Sequence, residues 1–161
     1  MMDEQLSILA EQLGIYLLNN NQILTTAESC TGGWIAKVIT DIPGSSGWFD
    51  RGFITYSNQA KQQMLGVQAD TLSRYGAVSA ATVYEMVTGA LLHSEACCAV
   101  AVTGIAGPEG GSLEKPVGTV FFAWQTQGME VRIMKKQFTG NRQQIRTLAV
   151  KTAMEGCSQE L

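Results

Sequence analysis

The sequence predicts an α/β fold with a mixed sheet that includes an antiparallel hairpin. Three observations carry that prediction. Apolar residues at helical spacing alternate along the chain with short β-favouring runs. One run, residues 97–103, is apolar almost without a break, as a central strand buried on both faces reads. Two later runs, 117–125 and 130–138, lie only a few residues apart around Gly128, the spacing of two antiparallel strands.

Each element has its own reason. Leu6, Leu9, Ala10, Leu13 and Leu17 share one helical face, so residues 3–18 form an amphipathic helix that stops before Asn19, Asn20 and Asn21. Residues 23–27 follow as the first strand, and 34–40 as a helix closed by the loop around Pro43 and Gly44. Phe49, Phe53, Ile54 and Tyr56 mark a second strand over 48–56. Asn58 is placed as the cap of a helix that ends at Gly66 and carries Lys61. Ser79 caps a long helix to His93, with Val83, Val87, Ala90 and Leu91 inward. Asn141 caps the last helix, with Ile145, Leu148, Ala149 and Thr152 toward the sheet and Arg142 in its first turn.

At 161 residues the chain has the size of one domain, 1–161, and contains no internal repeat or linker. Hydrophobic residues at 45% and charged residues at 16% describe an ordered globule rather than a disordered chain. A net charge of −3 provides no broad basic field, so nucleic acid is not an expected partner. No window approaches the roughly 18 apolar residues of a membrane span, no signal-peptide pattern opens the chain, and a cytoplasmic location is expected. Cys30, Cys97, Cys98 and Cys157 have no CxxC spacing, which points away from structural zinc and from a disulfide framework. His93 is the single histidine and falls at a helix end, so it is read as a solvated or dipole-paired group rather than a triad member.

Three polar, glycine-rich breaks follow predicted strands, at 28–33, 56–61 and 103–118. In an open α/β sheet such strand ends build the ligand crevice. The first break places Ser29 on a turn between strand and helix, beside the N–H groups that open the helix, an arrangement that supplies both a nucleophile and an oxyanion stabiliser. A helix cap is the competing role for Ser29, Thr31 and the glycines. The second break puts Lys61 near a positive helix end, which lowers an ammonium pKa and suits a neutral lysine to general-base work on Ser29. Tyr56 stands at the preceding strand end, where its phenol can orient the lysine or a substrate. The third break, opening Thr103, Gly104, Ile105, Ala106, Gly107, offers backbone donors with little side-chain obstruction. It lacks the Gly-Lys-Ser/Thr of a P-loop and the helix that follows a Rossmann fingerprint. Arg142 in a first helical turn opposes the macrodipole unless an anion bridges it to free N–H groups.

Several motifs, in this order, carry a resemblance to a known family. They are residues 26–33, 43–46, 52–58 with Lys61, 76–79, 103–111 and 115–120. The chain resembles the C-terminal domain family of the competence/damage-inducible CinA proteins and, within it, the stand-alone nicotinamide mononucleotide deamidases. The likeness spans nearly the whole chain as a single amidohydrolase domain. It implies a three-layer α/β/α sandwich around a mixed, mostly parallel sheet, and hydrolysis of the carboxamide of nicotinamide mononucleotide to nicotinate mononucleotide and ammonia, in NAD recycling. It also implies a serine-lysine mechanism on Ser29 and Lys61 with Tyr56 beside them. The residues expected to face the substrate are Cys30, Thr31, Gly32, Thr103, Gly104, Ile105, Ala106, Gly107 and Arg142, with no metal and no cofactor. The expected partner is a small-molecule nucleotide, and the expected assembly is a homo-oligomer, a dimer. The nucleotide-hydrolase domain of the larger CinA proteins has no counterpart here, so pyrophosphatase activity is not expected. The rival expectation is a non-catalytic nucleotide-binding regulatory module linked to competence or DNA damage, which would have no need of Ser29 together with Lys61.

Overall fold

The structure is a computed structural model and describes residues 1–158. Helix α1 (Met2–Asn19) leads into strand β1 (Leu24–Glu28) and helix α2 (Trp34–Thr40). A 3-10 turn at Ser45–Gly47 precedes strand β2 (Phe49–Ile54), helix α3 (Asn58–Leu65), helix α4 (Ala69–Tyr75) and helix α5 (Ala80–Leu92). Strands β3 (Cys98–Gly104), β4 (Thr119–Thr126) and β5 (Arg132–Gln137) complete the sheet, and helix α6 (Arg142–Cys157) closes the described chain.

The five strands lie in the order β2-β1-β3-β4-β5. β1 pairs parallel with both β2 and β3, while β4 runs antiparallel between β3 and β5. Four strands therefore share one direction, which brings the ends of β1, β2 and β3 to one edge of the sheet.

Alternation along the strands divides the core into two layers. Cys98, Val100, Val102, Phe122 and Trp124 face α1, α2 and α6, where Leu6, Leu13, Leu17, Ile35, Ile39, Ile145 and Met154 meet them. The opposite face presents Ala27, Ala99, Ala101 and Ala123, small residues that let α5 lie close with Val83, Met86, Val87 and Ala90. The same closeness governs α3 against α5: a Cβ at Gly89 would run into the Leu65 carbonyl.

Several expected details are revised. α4 was no part of the expected element order: it is a single short helix whose one buried residue is Thr71, so it shows no apolar period. It is fastened instead by Glu85 of α5, which accepts from the Gln68 N–H at 2.8 Å and the Thr71 hydroxyl at 2.6 Å. The cap of α3 is Ser57, whose hydroxyl accepts the Ala60 N–H, and Asn58 is the first helical residue. On α6 the buried stripe is Ile145, Ala149, Val150, Ala153 and Met154, because the helix packs on α1 as well as on the sheet; Leu148 and Thr152 stay half-buried at its rim. Ser79 and Asn141 cap α5 and α6 as expected, the latter in a reciprocal capping box with Gln144.

Gly89→Ala tests the α3–α5 contact. Helix propensity favours alanine by about 1 kcal/mol, but overpacking costs about 1–3 kcal/mol, and here the obstacle is backbone. The expected outcome is a thermal midpoint lowered by several degrees, read by circular dichroism; a raised midpoint would mean that the two helices separate freely.

Candidate active site

β1 ends on Glu28, and its alternating direction aims this side chain toward α2. The carboxylate is fully buried and accepts the Ile35 N–H at 2.9 Å and the Ala36 N–H at 3.1 Å. α2 has no side-chain cap of its own, since its N-cap is Gly33 at φ 96°. Glu28 fills that role from the preceding strand. Burial pushes its pKa up, against the pull of the surrounding hydrogen-bond donors. The Ile35 and Ala36 N–H groups of the helix N-terminus are therefore spent. Glu28 was missed as a site residue, although an acid at a strand end before a helix without a capping side chain is a readable signal.

Ser29 comes next and leaves the sheet edge. Its N–H bonds the Val102 carbonyl at 3.1 Å, and the neighbouring Glu28 carbonyl accepts the Thr55 N–H at 2.8 Å. Ser29 is thus held between the ends of β2 and β3. Lys61 approaches from α3, only 1% exposed, and its Nζ lies 2.9 Å from Ser29 Oγ, 3.0 Å from the Thr55 carbonyl and 3.3 Å from the Tyr56 carbonyl. Burial lowers the Lys61 pKa below the ordinary lysine range, and no carboxylate forms a salt bridge with it among the described residues. Beside them, burial pushes the Cys30 thiol up to about 12, so Cys30 stays protonated at neutral pH.

These groups line a cleft of about 260 Å³ together with Thr103, Gly104, Ile105, Ala106, Gly107 and Arg142. Gly104 sits where a Cβ would lie 2.7 Å from Val120 and 3.2 Å from the Cys30 sulfur, so only glycine brings the loop this close to the nucleophile turn. The loop offers fewer donors than its composition implied. The Ile105 N–H bonds the Thr119 carbonyl, and the Thr103 hydroxyl bonds the Ala77 carbonyl. Tyr56 contributes its carbonyl to Lys61, while its phenol accepts from Arg142 Nη2 at 3.2 Å. Arg142 also donates to the Gly107 carbonyl at 2.8 Å. Thr31 and Gly32 do not line this cleft: Thr31 is fully buried and Gly32 faces outward. Asn58, Ala77, Val78 and Glu109 complete the walls and were not expected there. His93 ends α5 with Nδ1 at 2.8 Å from the Gly89 carbonyl, outside the cleft.

A hydroxyl paired with a buried amine at the end of a parallel sheet is an arrangement suited to nucleophilic attack. Residues 6–161 match the CinA C-terminal domain. The chain belongs to this family. It is 54% identical over 155 residues to the nicotinamide-nucleotide amidohydrolase PncC of Escherichia coli (strain K12), spanning 96% of this chain and 94% of that protein. It is 48% identical over 156 residues to the protein of that name from Pseudomonas putida, spanning 97% of each. The crystal structure of the competence/damage inducible protein CihA from Agrobacterium tumefaciens superposes with a TM-score of 0.92 at 46% identity, covering 96% of both chains. Among the described residues no helix is long and apolar enough to cross a membrane.

The Glu28 contact gives a direct test. Glu28→Gln sets an amide NH₂ against one of the two helix N–H groups, leaving a buried donor without an acceptor at a cost of about 1–3 kcal/mol. Thermal unfolding is expected to shift down while the far-UV spectrum of the folded protein is kept. An unchanged midpoint would mean that the α2 N-terminus is satisfied without this carboxylate.

Proposed function

We propose that this chain is a nicotinamide-nucleotide amidohydrolase that converts nicotinamide mononucleotide to nicotinate mononucleotide and ammonia, with Ser29 as nucleophile and Lys61 as general base. The observation that carries this reading is the 2.9 Å contact between the buried Lys61 amine and Ser29 Oγ at the floor of the cleft. The relatives' shared name supplies the substrate class.

The hydrogen-bond inventory of Lys61 fits the role. A neutral amine has two N–H bonds and one lone pair. The Thr55 and Tyr56 carbonyls take the two N–H bonds, which turns the lone pair toward the Ser29 hydroxyl. Lys61 accepts the hydroxyl proton as Oγ attacks the carboxamide carbon, and the carbonyl oxygen becomes an oxyanion. The Cys30 N–H, which bonds no other residue among the described residues and belongs to a residue lining the cleft, is the donor for it. Lys61 returns the proton to the departing nitrogen and ammonia leaves. Water then attacks the acyl-serine with Lys61 as base again, releasing the acid and restoring Ser29. Arg142 at the rim supplies the charge opposite the substrate phosphate, and the Ala106 and Gly107 N–H groups add donors near it. A nucleotide-binding module without turnover would use the same cleft, and release of ammonia from nicotinamide mononucleotide by the purified protein separates the two readings.

Two outcomes test the dyad. Ser29→Ala is expected to abolish ammonia release while keeping the fold, because its hydroxyl bonds only Lys61. Lys61→Arg keeps a cation that does not deprotonate in proteins, and general-base loss predicts at least about a 100-fold fall in kcat. Near-normal turnover in either folded variant would remove that residue from the chemistry. The pH profile carries the second outcome. Since burial lowers the Lys61 pKa, kcat/KM is expected to rise with pH through that lowered value and level off below the ordinary lysine value of about 10.4. Activity that holds steady on acidification would exclude a neutral lysine base.

A further inference from the structure

α6 carries a second arginine that meets the nucleophile turn and that the dyad chemistry leaves unused. Arg146, one helical turn beyond Arg142, donates from Nε to the Cys30 carbonyl at 3.0 Å and from Nη2 to the Thr31 carbonyl at 3.1 Å. Its guanidinium lies over the Trp34 ring, 5.4 Å from the centroid. Trp34 opens α2, so the arginine stacks on the helix after the turn and hydrogen-bonds the turn itself. None of the salt bridges among the described residues includes Arg146. Its polar contacts are spent on two successive peptide carbonyls.

Those two carbonyls belong to the two peptides that follow Cys30 on the turn of Ser29. A trans peptide is planar, and its N–H points opposite to its C=O. The Cys30 carbonyl shares its plane with the Thr31 N–H, and the Thr31 carbonyl shares its plane with the Gly32 N–H. The Gly32 N–H returns to the Ser29 carbonyl at 3.1 Å and closes the turn. The Thr31 N–H has no partner among the described residues. A rigid guanidinium fork on both carbonyls fixes the tilt of both planes at once. A cation at the carbonyl end of a peptide also polarises it, which strengthens the N–H at the other end as a donor. Gly32 suits this turn through its backbone, since φ 61° lies in the left-handed region that glycine adopts without strain.

We propose that Arg146 is a positioning residue for the reaction. Without touching the substrate, it holds the turn that presents Ser29 and the Cys30 N–H to the cleft. The inference rests on the Ser29 hydrolase reading above and adds to it a dependence of transition-state stabilisation on α6.

The test is steady-state kinetics on nicotinamide mononucleotide with Arg146→Ala and Arg146→Lys, alongside thermal unfolding and labelling of Ser29 by a fluorophosphonate. An oxyanion-hole donor is worth about 10²–10³ in kcat. A donor kept but misaimed predicts a fall of about 10- to 100-fold in Arg146→Ala, with KM within about 3-fold of wild type and slower fluorophosphonate labelling. Added guanidinium ion should restore part of kcat in Arg146→Ala, and ammonium should not. If Arg146→Ala does not fold, Arg146→Lys reads the same point, because one ammonium cannot hold both carbonyls in a fixed fork and kcat falls about 10-fold. A lower melting temperature with unchanged kcat would make Arg146 a structural brace, and a raised KM with unchanged kcat would make it a substrate contact; either overturns the inference. A folded wild type that neither releases ammonia nor labels overturns the hydrolase reading and this inference with it. An active wild type matched by both variants overturns the inference alone.

Discussion

The Glu28 carboxylate determines what the nucleophile turn has left to offer. A helix N-terminus leaves N–H groups unsatisfied and attracts anions. In α2 two of those groups are taken by Glu28 from the strand before it. Donors without a partner residue remain on the turn between strand and helix, next to Ser29, where Cys30 lines the cleft. The same residue works through its backbone. Its carbonyl accepts the Thr55 N–H, and the chain just beyond that bond presents the two carbonyls that hold Lys61 Nζ. Side chain and main chain of one residue thus help locate both Ser29 and Lys61, which gives the fully buried Glu28 its structural role one position before Ser29.

Two effects act on Lys61, and their sizes can be ranked. A helix N-terminus disfavours a nearby cation by about 0.3–1 kcal/mol. Burial of the amine is the principal cause of the lowered Lys61 pKa. With Ser57 rather than Asn58 as cap, Lys61 lies one residue further into α3, and its own N–H already bonds the Ser57 carbonyl. The dipole contribution shrinks accordingly. Desolvation governs, and its strength comes from packing: Lys61 is one of the largest fully buried side chains of the molecule.

What the sequence disclosed and what it withheld follow the range of the interactions. The turn at 28–33, the caps Ser79 and Asn141, and the unbroken apolar strand β3 are set by neighbours a few residues apart, and each is readable as a local pattern. Ser57 and Asn58 are both good cap formers in adjacent positions, so composition does not choose between them; the Ser57–Ala60 bond does. α4 has no apolar period because Glu85, distant in sequence, fastens it. The contact between Ser29 and Lys61 was legible because each follows a strand that ends at the same sheet edge. The grip of Arg146 on Cys30 spans 116 residues and leaves no local trace.

α6 is held at both ends by opposite electrostatics. At its C-terminal end Arg132 donates to the Gly156 carbonyl at 2.8 Å and stacks over Trp124, whose indole N–H donates to the Ala153 carbonyl at 2.9 Å. A cation there suits the helix dipole. Gly156 is obligatory in that packing, since a Cβ would enter the Trp124 ring. At the other end Arg142 sits in the first turn, where the dipole opposes it by about 0.3–1 kcal/mol, and Arg146 lies one turn further in. Hydrogen bonds from charged donors contribute about 1.5–3 kcal/mol, enough to hold both arginines on the carbonyls of Gly107, Cys30 and Thr31. Sixteen residues at about 1.5 Å each give a rod of about 24 Å. Its anchorage on Trp124 therefore fixes where the two arginines reach the cleft. The spacing between the nucleophile turn and the Gly107 loop is consequently a property of the α6–sheet packing as much as of the loops that form the walls.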